Sequence, residues 1–573
     1  MQRMKTQEEN RTEKPEKVYV QIWREQVAQG VLYVSLCLFL SVVCISTPEL
    51  PEGTTVGQWL AWRIPACVSA AGIVLALLIQ APHNGILLSD FLYGGMKTAV
   101  PWALITMGVI QALWGLCQLF GLLPSGHSHY ALTGSFANPG PYGGYLALVL
   151  PLCLNRYLDL FPAYMSAGFM TDAKRRGRKL ARAAGLLILM VLPATMSRSA
   201  WLAAAVGCGW VGWRWFSWYL VRWWQVVWRR WRGRCIAWCG VAVAVVVAAG
   251  VGIFLLKPDS ALGRLFIWKM TCRAIASHPF MNFDGFPALY GEAQSSYFAS
   301  GDYAAWEERV AGTPEYAFND YLDFTVMLGI PFLVVLLAVL SYLLWRGRYV
   351  SLTGHNGALL SLMVFAFFSY PMHLPAFTVA GFLLVMSYFP GRIPMALVIL
   401  MAMWQCFGMG NDWKRQTDDC RLWAEARMFY RMEADEAAAE KYNAIWRSEG
   451  LQNEGAFYFE YGHCLHRLKE HTWSNYMLKE AARLTADPMV LNIMGKNWQA
   501  VKEYRKAEEC FWQAVHRLPG RIYPYYLLAK LYALPDYRHP DKLEEMKRIV
   551  LTKEPKVMST AIREMREEVE KLE

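Results

Sequence analysis

Metal-ligand spacing is absent from this 573-residue chain, and so is any CxxC pair among its 13 cysteines. That argues against a zinc module and a dithiol redox centre. Cys37, Cys44 and Cys153 sit in apolar runs, where a small hydrophobe is the default reading. Cys420, Cys464 and Cys510 lie near the other end and could pair only on an oxidising side of a membrane. No small-residue cleavage site follows the first apolar run (31–47), so that run reads as an anchor and not as a signal peptide. From Asn411 onward the chain has no net charge, with 27 Lys/Arg against 27 Asp/Glu. The whole +11 therefore belongs to residues 1–410.

What is there is hydrophobic: 55% of residues are apolar and 25 are Trp, above the roughly 45–50% of a typical soluble domain. Read at about 20 residues per crossing, the spans are 28–47, 59–81, 98–120, 139–158, 184–197, 199–217, 235–256, 318–344, 356–371, 375–389 and 393–409. Residues 83–97 read as a partly embedded or interfacial segment. The expected organisation is all-α: a cytoplasmic segment 1–27, a polytopic membrane domain 28–410 with an outer loop 257–317, and a soluble domain 411–573.

Basic clusters set the orientation. Lys174, Arg175, Arg176, Arg178, Lys179 and Arg182 fall in one loop, Arg222, Arg229, Arg230, Arg232 and Arg234 in another, and Arg346, Arg348 and Arg392 beside later spans. With the N-terminus cytoplasmic, alternate counting puts every cluster inside, as the positive-inside rule requires. The segment 121–138, the Ser197-Arg198-Ser199 turn, the loop 257–317, His373 and the whole tail then face outward. Arg198 would cap a short hairpin at the outer interface, where a charge avoids the cost of about 2.5–3.5 kcal/mol at a helix centre. The Trp/Arg stretch 213–234 reads as an interfacial anchor on anionic lipid, with no nucleic-acid partner.

The tail carries a helical repeat. Gly495, Trp498, Ala507, Phe511, Ala514 and Pro519 hold the small and large positions of a tetratricopeptide hairpin. Stepping back 33 residues gives Gly462, Leu465, Leu478 and Ala481, and stepping forward 34 gives Ala529 and Tyr532. Ala438, Tyr442 and Ile445 mark a degenerate earlier unit. Stacked units of this kind offer a concave face to a protein partner.

Three outward segments concentrate chemistry. In "TGSFANPGPYGGYLA" a Gly/Pro/Asn turn enters a span, and its N–H groups could face an anion. The second is Ser197-Arg198-Ser199. In "ALGRLFIWKMTCRAIASHPF" helical spacing puts Arg264, Trp268 and Cys272 on one face and Lys269 and Arg273 on an adjoining one.

In order and spacing these segments resemble the O-antigen ligase and polymerase superfamily of bacterial membrane glycosyltransferases. The "G.F.NPN" turn is matched by Gly134-Ser135-Phe136-Ala137-Asn138-Pro139. The "SR.aWL" hairpin is matched by Ser197 to Leu202. The "R...W" segment with its "hP..G.G" turn is matched by Arg264, Trp268, His278-Pro279 and Gly285. The "HN.yL....e.Gi" opening is matched by "AFNDYLDFTVMLGIPFL". The likeness covers roughly residues 30–410, and a tetratricopeptide tail resembles a known arrangement there.

The resemblance implies a GT-C-like fold in an inner membrane. It implies a donor of glycan on polyprenyl (undecaprenyl) diphosphate, and transfer to a hydroxyl of lipid A core, protein or glycan, without metal or cofactor. Arg198 and Arg264 would grip the diphosphate, with Arg273 and Asn138 as further contacts. Guanidinium suits the role because it is always charged and binds oxyanions bidentately. One position departs from the pattern: the usual His is Phe318, and Met327 and Leu328 stand where an acid usually precedes Gly329. Asp320 and His278 are the nearest substitutes for a base, and Asn319 and Ser197 would position. Other readings are a polymerase, or a scaffold or flippase. A flippase should carry polar groups through the depth of the membrane, and the first four spans read as having none.

Overall fold

A computed structural model describes residues 23–47, 50–51, 55–80, 85–159, 172–255, 258–282, 285–349, 352–389, 393–407, 412–555 and 557–572. Residues 1–22, 160–171 and Arg392, which the sequence reading places inside, lie outside the described residues. Among the described residues the regular structure is helical throughout, with no strand.

In chain order the helices are α1 (Trp23–Cys44), α2 (Val56–Gln80), α3 (Gly85–Leu119), α4 (Pro139–Asp159), α5 (Asp172–Val191) and α6 (Arg198–Leu255). Four shorter ones follow: α7 (Pro258–Ser277), α8 (Phe286–Ala299), α9 (Ala305–Val310) and α10 (Asp320–Leu328). Next are α11 (Ile330–Tyr349), α12 (Thr353–Phe367), α13 (Pro375–Met386) and α14 (Ile393–Phe407). The tail comprises α15 (Asp412–Arg431), α16 (Asp435–Ile445), α17 (Gly455–Arg467), α18 (His471–Leu484), α19 (Pro488–Ala500), α20 (Tyr504–Arg517), α21 (Tyr523–Tyr532), α22 (Pro540–Thr552) and α23 (Thr560–Glu570).

Among the described residues, α1, α2, α11 and the Gly94–Leu119 part of α3 are long and apolar enough to cross a bilayer. α13 and α14 are shorter apolar helices.

Three elements differ from the sequence reading. Residues 83–97 are not a separate segment, because from Gly85 they run straight into the next span as α3. The spans 199–217 and 235–256 are one unbroken helix, α6, of 58 residues, about 87 Å long at 1.5 Å per residue. Between them the chain offers Trp, Arg and Val, with no proline and one glycine, so nothing in it stops a helix. Conversely, 318–344 is not one span. It breaks at Gly329 into α10 and α11, where φ is +82°.

The chain forms two compact units. The first comprises residues 1–48, 52–241 and 337–413. Its centre is α4, in which every residue from Pro141 to Cys153 is buried. α4 meets α12 where Gly144 lies against the Phe365 ring, and Phe365 stacks on Phe377 with centroids 5.6 Å apart. With no water to exclude between spans, small residues that allow close approach supply the contact.

The second unit comprises residues 49–51, 242–336 and 414–573. Helices α17 to α22 pack as successive hairpins, α17 on α18, α19 on α20 and α21 on α22. Gly462 faces Leu478 and Gly495 faces Phe511, so the same small-against-large contact recurs one hairpin later. Cys420, Cys464 and Cys510 are buried free thiols. The loop helices share a core with these hairpins. Phe266, Met270, Phe286, Tyr290, Phe298 and Val326 bury together with Ala486 and Leu518. Gln294 Nε2 donates to the Arg517 carbonyl, and Lys553 pairs with Glu308 at 2.6 Å.

Candidate functional site

In the first unit, the Gly-Ser-Phe-Ala-Asn-Pro turn is held by two glutamines of α3 spaced seven residues apart. The N–H groups of Thr133 and Gly134 donate to Gln118 Oε1 at 3.0 and 2.7 Å. Gln118 Nε2 returns a bond to the Gly134 carbonyl at 2.9 Å. The Ser135 N–H donates to Gln111 Oε1 at 3.2 Å, and Gln111 Nε2 donates to the Val43 carbonyl at 3.2 Å. Gly134 turns with φ +59°, and a Cβ there would fall 2.4 Å from the Tyr142 ring.

These glutamines correct the sequence reading, which found no polar groups in the first four spans. Both lie in the third, Gln111 fully buried and Gln118 nearly so. The signal that could have found them is polarity inside an apolar run, which marks a committed hydrogen bond.

The turn fixes the start of α4. The exposed Asn138 caps it, its Oδ1 accepting from the Gly140 N–H at 2.9 Å, and Pro139 supplies the first helical residue. Two of the three nominated groups in this unit are thus engaged in capping. Ser197, buried, accepts from the Ala200 N–H and starts α6. Arg198 is the first residue of that helix and is half-buried.

The other nominated residues lie in the second unit. Arg264 and Trp268, one turn apart on α7, meet consecutive residues of the "AFNDYL" segment. The Arg264 Cζ is 5.7 Å from the centroid of the Phe318 ring. Trp268 Nε1–H donates to the Ala317 carbonyl at 3.1 Å. The Ala317 N–H donates to Asp323 Oδ1 at 2.9 Å. Asn319 Oδ1 accepts from the Leu322 N–H at 3.2 Å and caps α10. Asp320 follows in the first turn, buried, where the helix start favours a carboxylate.

A second pair of segments closes beyond the C-terminal end of α7. The Ile330 N–H donates to the Pro279 carbonyl and the Asn282 N–H to the Met327 carbonyl, both at 2.9 Å. His278 follows α7 and is exposed. The structure thus joins Arg264, Trp268, Ala317, Phe318, Asn319 and Asp323 through direct contacts.

The adjoining face of α7 is committed elsewhere. Lys269 Nζ pairs with Glu307 at 2.5 Å and donates to the Tyr297 hydroxyl at 2.7 Å. Tyr297 in turn donates to Glu307 at 2.6 Å. The Arg273 Cζ lies 4.8 Å from the Tyr297 centroid. Burial works against ionisation of Glu307, but Lys269, Tyr297 and the Ala304 N–H outweigh it and hold the carboxyl below its usual range. Glu307 and Tyr297 were not legible as partners of Lys269 and Arg273, because an acid and an aromatic in a loop carry no spacing signal.

The class of the segment follows from comparison: residues 183–337, about a quarter of the chain, match the family model described as O-antigen ligase. No curated protein and no solved structure matches the chain. The matched stretch runs from α5 into α11, and so encloses Arg198, Arg264, Trp268 and the whole "AFNDYL" segment. It supports membrane glycan transfer of the ligase or polymerase type.

Proposed function

We propose that this chain transfers a glycan from a polyprenyl diphosphate carrier to an acceptor hydroxyl at the outer face of a bacterial inner membrane. Arg264 binds the diphosphate, Arg198 is a second candidate for that group, and the acceptor is lipid A core or protein. The observation that carries this reading is the joining of the "R...W" and "AFNDYL" segments. A half-exposed guanidinium is set by a tryptophan, a turn and a cap inside a stretch that matches the O-antigen ligase family.

In the reaction the acceptor oxygen attacks the anomeric carbon as the bond to the diphosphate oxygen breaks. Guanidinium binds the negative charge that develops on the leaving group. The acceptor proton passes to a base, for which Asp320 and the exposed His278 are the candidates. Asn319 and Ser197 set the turns. Asn138 and Arg273 line the approach, and no metal or cofactor takes part.

The hairpins of the tail are read as tetratricopeptide units that receive a protein partner. The basic clusters support a cytoplasmic N-terminus and an outer tail.

Arg198→Ala and Arg264→Ala should each abolish transfer in membranes while leaving insertion intact, and full activity in both would defeat the reading. A deletion strain separates the subclasses. Long chains left on the carrier indicate lost ligation, whereas single repeat units indicate lost polymerisation.

A further inference from the structure

We infer that Phe318 is a positioning residue for Arg264, a ring platform standing where the resembled family carries a histidine. The inference rests on the reading that Arg264 binds the diphosphate.

The ring lies within the roughly 6 Å at which an aromatic face attracts a guanidinium, with Arg264 Cζ 5.7 Å from its centroid. The backbone under the ring is unusual. Phe318 has φ +51°, a left-handed conformation that is an outlier for a bulky side chain. Such a conformation persists only where its surroundings over-determine it. Here they do. Ala317 is tied at its N–H by Asp323 and at its carbonyl by Trp268, and Asn319 is committed to capping α10. The turn cannot relax without releasing three bonds.

Trp268, which holds the peptide before Phe318, sits one turn along α7 from Arg264. One helix face therefore fixes both the cation and its platform. A ring contact attracts the cation without supplying an oxyanion, and the guanidinium N–H groups are what bind phosphate oxygens bidentately. Phe318 also takes no proton, so position 318 orients the cation at every pH.

The test uses the full-length protein in lipid nanodiscs and radiolabelled farnesyl diphosphate as probe. Phe318→Leu removes the ring and keeps the strained backbone, so it should weaken binding about threefold to tenfold. Phe318→Tyr, which keeps the ring, should bind within about twofold of wild type. Phe318→Met replaces the leucine arm if that variant does not fold. In an Arg264→Ala background, Phe318→Leu should add nothing, which a merely structural role would not produce.

Wild-type binding by Phe318→Leu, with binding lost in Arg264→Ala, overturns the inference and leaves the diphosphate reading standing. So does a full additional loss for Phe318→Leu in the Arg264→Ala background. A wild-type protein that does not retain the probe, or an Arg264→Ala variant that retains it fully, refutes the diphosphate reading and the inference together.

Discussion

Replacing Gly329 by alanine should disconnect the two segments that close beyond the C-terminal end of α7. At φ +82° and ψ 168° this residue occupies a region that is essentially glycine-only. Forcing a side chain into it costs about 1–3 kcal/mol. The new Cβ would also lie 2.9 Å from backbone atoms of Phe280, and backbone cannot swing aside as a side-chain tip can. The turn must then move, and the bonds from Ile330 to Pro279 and from Asn282 to Met327 go with it, at about 1 kcal/mol each. The combined destabilisation is about 3–5 kcal/mol. For a body of this size that corresponds to a fall in Tm of about 5–15 °C, read by differential scanning fluorimetry in detergent. Gly285→Ala is the control. Its nearest contact would be 3.6 Å from Pro287, so its Tm should move by no more than about 3 °C. Equal shifts for the two variants, or a Tm for Gly329→Ala within a degree of wild type, would refute this account of the break between α10 and α11.

Glu307→Gln should lower stability by about 1–3 kcal/mol. Because the folded carboxyl is held below its usual range, the wild type keeps this stabilisation at neutral pH and loses it as pH falls through the lowered folded value. The Tm gap between the two proteins should close on acidification, and a gap constant from pH 7 to pH 3 contradicts the pairing. Gln118→Leu strands the N–H groups of Thr133 and Gly134, and a loss of about 2–4 kcal/mol is expected. Protease cleavage near residue 130 reports it, and an unchanged digestion rate counts against the clasp. Single-cysteine labelling in intact cells should find residue 300 accessible outside and residue 225 protected. Outside labelling at 225, or none at 300, would remove Arg264 from the outer face.

The sequence was informative where chemistry and spacing coincide. The "R...W" spacing predicts one helix face, and that face meets the "AFNDYL" segment through Ala317 and Phe318. The repeat register of the tail likewise places Gly462 and Gly495 against large partners. It was less informative where hydropathy is averaged over a window. Two glutamines in a span barely alter a mean, so the clasp on the Gly134 turn went unseen. The break at Gly329 was hidden by apolar residues on both sides, although Gly329-Ile330-Pro331 holds the glycine and proline that make it. For α6 the error ran the other way: a cluster of arginines suggested a reversal, while every residue between 217 and 235 tolerates a helix.

The core that Ala486 and Leu518 share with Phe266 and Met270 means that the repeats are no detachable accessory. A truncation at residue 411 would strip α8 of its partners, since Gly291 lies against Ala486 and Gln294 donates to the Arg517 carbonyl. A chimaera that exchanged the tail would have to bring its own matching loop. Whatever grips those hairpins therefore takes hold of the same solid block that carries Arg264.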